Sequence, residues 1–289
     1  MTDAAATELV AHRPMLYGLA YRILGSAHDA DDVLQDAYLR WRSADRTAVA
    51  DPRRYLSRVV THLAMDVLRR RQAARETYVG PWLPEPVPSA TLAPDEAAEQ
   101  RESLSIAALH LLERLTPAQR AVFVLHTAFG LPYAEIADAL DRSEADCRQL
   151  HRRAAARLAD GAARRPVGPA AQRRLLTGLL AAARQGDVAT LTAMLAADVT
   201  AWSDGGGRVK AAPRPVHGAA KVARFLAGVY APDATLDARP VEVNGGPAVV
   251  VRSSTMFHVL ALAAHDDGVS GIYLISNPDK LQLVSEARP

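Results

Sequence analysis

Residues 80–89 read Gly-Pro-Trp-Leu-Pro-Glu-Pro-Val-Pro-Ser, with prolines at positions 81, 84, 86 and 88. Proline has no N–H to give and its ring clashes with the preceding turn, so no helix runs through this stretch. Helical periodicity lies on both sides of it. The chain is therefore divided, and residues 77–95 are expected to form an extended linker between two helical modules, 1–76 and 96–162. A second break, Arg164-Arg-Pro-Val-Gly-Pro169, separates off a third module at 170–289.

In the first module Leu9, Leu16, Leu19, Ala20, Ile23 and Leu24 keep three-to-four spacing, and Gly25 stops that helix. Ser26 is placed to cap a second helix with the stripe Val33, Leu34, Ala37, Tyr38 and Trp41. Asp51-Pro52 opens a third, with proline in the first helical position. Its buried face should be Tyr55, Leu56, Val59, Val60, Leu63, Val67 and Leu68. In the second module, Thr116-Pro117 starts one helix and residues 132–140 form another. A tight turn at Asp141-Arg-Ser143 then leads into a basic amphipathic helix, Glu144–Leu158. Ile136, Ala137, Leu140, Ala145, Leu150 and Ala154 are expected to pack the last two helices together. This is the layout of a helix-turn-helix, whose second helix enters a major groove. A structural hairpin with a charged rim is the alternative. Beyond residue 170 a helical segment, 172–195, gives way to β-branched runs at 240–244, 248–252 and 271–275, so the third module reads as α+β. The strand region between Thr255 and Ser270 looks short, which would leave any pocket there incomplete.

The 34 basic and 32 acidic residues nearly cancel, but they are segregated. Asp29, Asp31, Asp32 and Asp36 fall within eight positions, whereas residues 53–75 hold seven arginines and 148–165 hold six. One acidic and two basic surfaces suit a basic protein partner and a polyanion. Asp31, Asp32 and Gln35 lie opposite the Val33/Ala37 stripe, placed to dock a partner's basic helix. Along the third helix Tyr55 and His62 could stack on unpaired bases while the arginines hold the backbone. On the basic amphipathic helix Arg148, Gln149, Arg152 and Arg153 are of the types that contact guanine, adenine and phosphate. Arg157 is expected to touch phosphate only. The single cysteine, Cys147, excludes a disulfide scaffold and a Cys-rich zinc site, and it reads as a small apolar filler. No His, Cys or acid cluster suggests a metal, and no cofactor is implied. No apolar run approaches the ~20 residues of a membrane span and no signal-peptide layout opens the chain, so a cytoplasmic protein is expected.

Several motifs resemble the extracytoplasmic-function (ECF) sigma factors. Tyr21-Arg-Ile-Leu-Gly, Asp29-Ala-Asp-Asp-Val-Leu-Gln-Asp-Ala, Asp51-Pro-Arg-Arg-Tyr-Leu and Asp66-Val-Leu-Arg-Arg are similar to region 2 of that family. Leu115-Thr-Pro-Ala-Gln-Arg, Tyr133-Ala-Glu-Ile-Ala and Gln149-Leu-His-Arg-Arg-Ala resemble its region 4. The linker Thr77–Pro86 resembles an actinobacterial subgroup with a C-terminal SnoaL-like extension. So do Asp204-Gly-Gly-Gly, Val243-Asn-Gly-Gly-Pro and Asn277-Pro-Asp-Lys-Leu. The resemblance implies two all-α sigma modules, a region 2 bundle and a region 4 helix-turn-helix, followed by an α+β SnoaL-like cone.

It also implies that Asp31, Asp32 and Gln35 bind the β′ clamp helices of core RNA polymerase. Arg58, His62, Asp66, Arg69 and Arg70 would serve the minus-ten element of promoter DNA. Arg148, Gln149, Arg152 and Arg153 would serve the minus-thirty-five element. Asp204, Asn277, Pro278, Asp279, Lys280 and Leu281 would be regulatory. Asp198, Asp204, His217, His258 and His265 are the acid–base candidates of the third module, without a local constellation. That module is expected to regulate, with a small ligand left open, rather than to catalyse. The alternative is a DNA-binding regulator fused to a SnoaL-like enzyme.

Overall fold

The computed structural model describes residues 4–74, 78–92, 103–159, 165–230 and 235–286. The chain forms two compact units, one of residues 1–76, 90–104 and 109–160, the other of residues 77–89, 105–108 and 161–289.

The first unit opens with three helices, α1 (Ala4–Leu24), α2 (Ala27–Ser43) and α3 (Pro52–Ala74). Gly25 adopts φ 67°, the left-handed conformation that ends α1, and the Ser26 hydroxyl accepts the Asp29 N–H at 3.3 Å to start α2. Leu16, Leu19, Ile23, Val33, Trp41, Leu56 and Val60 fill the bundle. Tyr55 and Val67 are only half-buried, while Thr61, Ala64 and Met65 join the core instead. The wider apolar face of α3 reflects its neighbours, since it packs on α1 and α2 on one side and on later helices on the other.

Four further helices follow: α4 (Ile106–Leu112), α5 (Pro117–Phe123), α6 (Tyr133–Leu140) and α7 (Glu144–Leu158). A capping box starts α5: the Gln119 N–H donates to the Thr116 hydroxyl, and the Thr116 N–H to the Gln119 side chain at 3.1 Å. A π-helical turn, Val124–Ala128, continues from α5. Asp141 closes α6 at φ 51°, a left-handed position that Asp tolerates better than most residues. Ile136, Ala137, Leu140, Cys147 and Ala154 are buried. Ala145, expected in this seam, is exposed. It lies two residues, about 200° of helical rotation, from Cys147, and so on the opposite face.

The C-terminal carbonyls of α1 are satisfied by two arginines. Arg71 of α3 donates to the Leu24 carbonyl at 3.0 Å and pairs with Asp29. Arg120 of α5, fully buried, donates to the Arg22 carbonyl at 3.3 Å and pairs with Glu113. A helix end buried without partners would be costly, and cations are favoured there.

In the second unit a six-stranded sheet comprises β1 (Leu195–Asp204), β2 (Val216–His217), β3 (Asp237–Val243), β4 (Gly246–Arg252), β5 (Phe257–His265) and β6 (Gly268–Ile275). The order is β2-β1-β6-β5-β4-β3, with β1–β6 parallel and every other pair antiparallel. Helices α8 (Pro169–Gln185), α9 (Val188–Met194) and α10 (Ala219–Val229) cover one face against Val249, Val251, Leu260, Leu262, Ile272 and Leu274. The alternate residues, including Val250, Val259, Ala261, Tyr273 and Ile275, are also buried. They pack against Leu83 and against Leu281 and Val284, the latter in α11 (Gln282–Glu286). A sheet buried on both faces reads as continuous apolar sequence. The region between Thr255 and Ser270 is not short: β5 spans nine residues and pairs with β6 from Val259 to His265.

Arg120→Ala should destabilise the first unit by about 3–5 kcal/mol, because it strands Glu113 and the Arg22 carbonyl. Urea unfolding of Arg120→Ala beside Arg120→Met/Glu113→Leu tests this, with a smaller loss expected for the apolar pair.

Candidate nucleic-acid interface and linker clasp

On α2, Asp31, Asp32 and Gln35 are exposed, as expected. Asp31 pairs with Arg13 of α1 at 2.8 Å, and Asp32 lies 3.7 Å from His28 one turn earlier. Both carboxylates are more than half exposed, so these pairs hold them weakly and leave them open to a stronger cationic partner.

The arginine face of α3 is only partly open. Asp66 pairs with Arg69 at 2.7 Å, and Arg70 donates to the Asp66 carbonyl. Further along the helix, Arg54 reaches Asp138 at 2.5 Å and Arg58 reaches Asp141 at 2.5 Å. His62 lies 3.8 Å from Asp141. Burial holds the His62 imidazole below its ordinary pKa and outweighs the attraction of Asp141, so the ring is neutral at pH 7. Two groups assigned to the minus-ten element thus converge on one acid of the helix-turn-helix. That placement is not legible in sequence, since Asp141 reads simply as a turn residue. Tyr55, half-buried, packs its ring against Trp41 at 5.3 Å between centroids, so one face of the expected stacking platform is already occupied.

Gln149, Arg152 and Arg153 of α7 are exposed, with no side-chain partner among the described residues. Arg148 is pinned by Glu144 one turn earlier and lies 5.7 Å over the Tyr133 ring. Arg157, exposed, donates to the Gln119 side chain at 3.1 Å, bracing α7 against α5. Behind this helix His126 stacks on Tyr133 at 4.3 Å, and the Tyr133 hydroxyl sits 2.9 Å from His151. Burial, with His126 second, lowers the His151 pKa and favours its neutral imidazole.

In the second unit the proline-rich segment is extended, but it is not a bare spacer: Leu83 and Val87 are fully buried. Asp204, at the end of β1 and fully buried, accepts from the Tyr78 hydroxyl at 2.6 Å and the Leu83 N–H at 2.8 Å. It also accepts from the Gly206 N–H at 3.1 Å and the Lys280 ammonium at 2.7 Å. Lys280 donates in addition to the Leu83 carbonyl at 2.5 Å and lies 4.0 Å from the Trp82 ring centroid. Burial first, then the bond to Asp204, raises the Tyr78 pKa, which keeps the phenol a donor. Asn277 donates to the Tyr78 oxygen at 3.2 Å and caps the turn Pro278–Lys280. Four residues further along, Asn244 grips both backbone groups of Val87: its side-chain oxygen accepts the Val87 N–H at 3.0 Å, and its own N–H donates to the Val87 carbonyl at 2.9 Å. Asn244 adopts φ 56°, which turns the β3–β4 hairpin toward the linker.

Of the residues expected to regulate, Asp204, Asn277 and Lys280 therefore meet at the linker, and Leu281 packs beside them in the core. Pro278 and Asp279 stay exposed, with Asp279 3.2 Å from Arg208. Tyr78 and Trp82 lie in the Thr77–Pro86 motif, which carries no residue-level role for either. The Val243–Pro247 motif was the available signal for Asn244.

The acid–base candidates do not gather. His258 is buried on the helix-facing side of β5, bonded to the Tyr230 hydroxyl at 2.6 Å, and burial lowers its pKa to about 4. His265 bonds Ser270 and His217 bonds Thr200, each at a strand edge. Among the described residues no group of three His, Cys, Asp or Glu could hold a metal, and no described helix is long and apolar enough to cross a membrane.

Comparison with known proteins agrees with this geometry. Residues 9–74 match the model of sigma-70 region 2, and residues 105–158 that of sigma-70 region 4, so the three-helix bundle and the helix-turn-helix are the two modules of a sigma-70-type factor. Over 288 residues the chain is 38% identical to the ECF RNA polymerase sigma factor SigJ of Mycobacterium tuberculosis H37Rv, covering 95% of this chain and 92% of that protein. A probable ECF sigma factor of the same species, SigI, is 31% identical over 283 residues, covering 96% and 95%. The crystal structure of M. tuberculosis SigJ superposes with a TM-score of 0.77 at 34% identity, covering 96% of this chain and 98% of that one. The chain belongs to the extracytoplasmic-function sigma factors, and its C-terminal unit has the SnoaL-like α+β architecture.

Two outcomes follow from the second unit. An unfolded histidine takes up its proton near pH 6.5 and His258 only near 4, so stability should fall by roughly 3 kcal/mol as pH drops through that window and level off below it. His258→Gln should flatten the decline in denaturation measured from pH 7 to 4. Asp204→Asn points amide hydrogens at donors, and hydrogen exchange at Leu83 and Val87 should then quicken at least ~10-fold, a loss of about 1.4 kcal/mol or more.

Proposed function

We propose that this ECF sigma factor works in the cytoplasm, binds core RNA polymerase through Asp31, Asp32 and Gln35, and reads promoter DNA with both helical modules. Arg58, His62, Asp66, Arg69 and Arg70 serve the minus-ten element. Arg148, Gln149, Arg152 and Arg153 serve the minus-thirty-five element, with Gln149, Arg152 and Arg153 standing ready and Arg148 released from Glu144 on contact. The observation that carries the reading is the pairing of an exposed arginine-bearing recognition helix with a second arginine face on α3 in one compact unit. The acidic face of α2 lies outside both.

The same geometry supports control. Arg58 and His62 meet Asp141 where they would otherwise meet DNA, so the helix-turn-helix competes with the minus-ten strand. The C-terminal unit acts in cis by gripping the linker between the two modules through Asp204, Asn244, Asn277 and Lys280. It regulates and does not catalyse. Asp204 spends its oxygens on four donors, and His258 is committed to Tyr230 inside the core.

Purified protein mixed with core polymerase should co-elute on gel filtration, and Asp31→Lys/Asp32→Lys should weaken that complex while leaving the fold intact. Unchanged binding would sink the assignment of α2. Asp141→Asn keeps the left-handed turn and removes the competing charge. It should tighten binding of single-stranded minus-ten DNA about 2–5-fold at low salt, in line with an exposed pair worth up to ~1 kcal/mol. Fluorescence anisotropy reads this, and equal affinities would show that Asp141 does not compete.

A further inference from the structure

The first unit contains a half-open cavity of about 150 Å³ between α1 and α3 on one side and the π-helical turn, its loop and α6 on the other. Its lining includes the apolar Met15, Leu19, Leu125 and Phe129, beside Ser57 and Thr61, whose hydroxyls donate to the Arg53 and Ser57 carbonyls of their own helix. An engineered apolar cavity of comparable volume accommodates benzene. The π-turn Val124–Ala128 runs along one wall, and such turns occur frequently at functional sites.

The mouth is charged in both signs. Arg54 is spent on Asp138, and the Asp51 carboxylate accepts the Arg54 N–H at 3.0 Å. Arg53 and Glu135, which also line the mouth, have no side-chain partner among the described residues. One unspent guanidinium and one unspent carboxylate therefore flank a ring-sized apolar floor. A simple anion would gain Arg53 but sit beside Glu135 and Asp51, and a simple cation would meet the converse conflict. A molecule carrying both charges satisfies both.

We propose that this cavity binds a small zwitterion with an apolar side chain of about ring size, the chemistry of a free hydrophobic α-amino acid. The side chain enters the floor, the carboxylate faces Arg53 and the ammonium faces Glu135. Met15, Leu19 and Arg53 belong to the region 2 module, and Leu125, Phe129 and Glu135 to the region 4 module, so the occupant touches both at once. It stabilises their contact by mass action and thereby disfavours any state in which they part. The inference goes beyond the sigma-factor reading, and the binding measurement below does not depend on it.

The test uses the full chain and three probes: L-phenylalanine, 3-phenylpropanoate, which lacks the ammonium, and 2-phenylethylamine, which lacks the carboxylate. Titration calorimetry should give a Kd of about 0.1–1 mM for phenylalanine, near the weak end of what a ligand of this size can reach, with each singly charged analogue about 10-fold weaker or more. Ala139→Phe, which fills the cavity from α6, should abolish binding. Glu135→Gln, a change at the rim that the fold tolerates, should bring phenylalanine down to the affinity of phenylpropanoate. No phenylalanine binding up to about 10 mM, well above the range set by ligand size, overturns the proposal. So does unchanged binding to both variants, or equal affinity for all three probes.

Discussion

A carboxylate with no access to water sits at the centre of the second unit. Asp204 is fully buried, and a buried charge is tolerated only when paired and hydrogen-bonded. Its donors come from distant parts of the chain: Tyr78 is 126 positions away, Leu83 121 and Lys280 76. None can be withdrawn without leaving the charge short of a partner. The end of β1, the proline-rich segment and the turn at Pro278–Lys280 are therefore ordered together. The apolar second face of the sheet depends on the same arrangement, because Leu83 covers it.

The first unit has a different organising constraint, the buried end of α1. Its last carbonyls receive Arg71 from α3 and Arg120 from α5, so region 2 and region 4 are joined at a helix terminus that neither module satisfies alone. On the flank of that junction Asp141 takes Arg58 and His62. A permanent bond at the core and a screened, replaceable one at the rim differ in burial alone. The rim pairs are about half exposed, whereas Arg120 is almost wholly enclosed. Salt screens the former and hardly reaches the latter.

Local chemistry was legible in the sequence wherever the structure is local. The bounds of α7, the caps at Ser26 and Thr116 and the left-handed stop at Gly25 follow from neighbouring residues. The strands at 246–252 and 268–275 enclose the runs expected there, and 237–243 takes in all of 240–244 but Asn244, which forms the turn. Ala145 was placed in the α6–α7 seam although it faces away from it, two residues before the buried Cys147. What sequence could not reveal is long-range pairing. Four prolines in eight residues identify an extended segment, yet they say nothing of a groove that holds its backbone. The motifs at Asp204 and Asn277–Leu281 carried half of the clasp through resemblance alone. Tyr78 and Asn244 lie in motifs of the same resemblance, but what each holds is visible only once its distant partner is in place. Cys147, read as a small apolar filler, is fully buried.

The clasp also bears on how such proteins are assembled over evolutionary time. Joining two genes end to end attaches a domain at its terminus, and a new partner can be exchanged at that joint. Here the SnoaL-like fold includes a stretch of chain encoded between the two promoter-reading modules, with Leu83 and Val87 as interior residues. A C-terminal domain transplanted without that stretch would arrive with an open apolar face and an unpaired carboxylate. Inheritance of the two segments is therefore coupled: the roughly dozen residues between the modules are expected to change in step with the domain that grips them, and a recombination point after residue 160 alone would separate what must travel together.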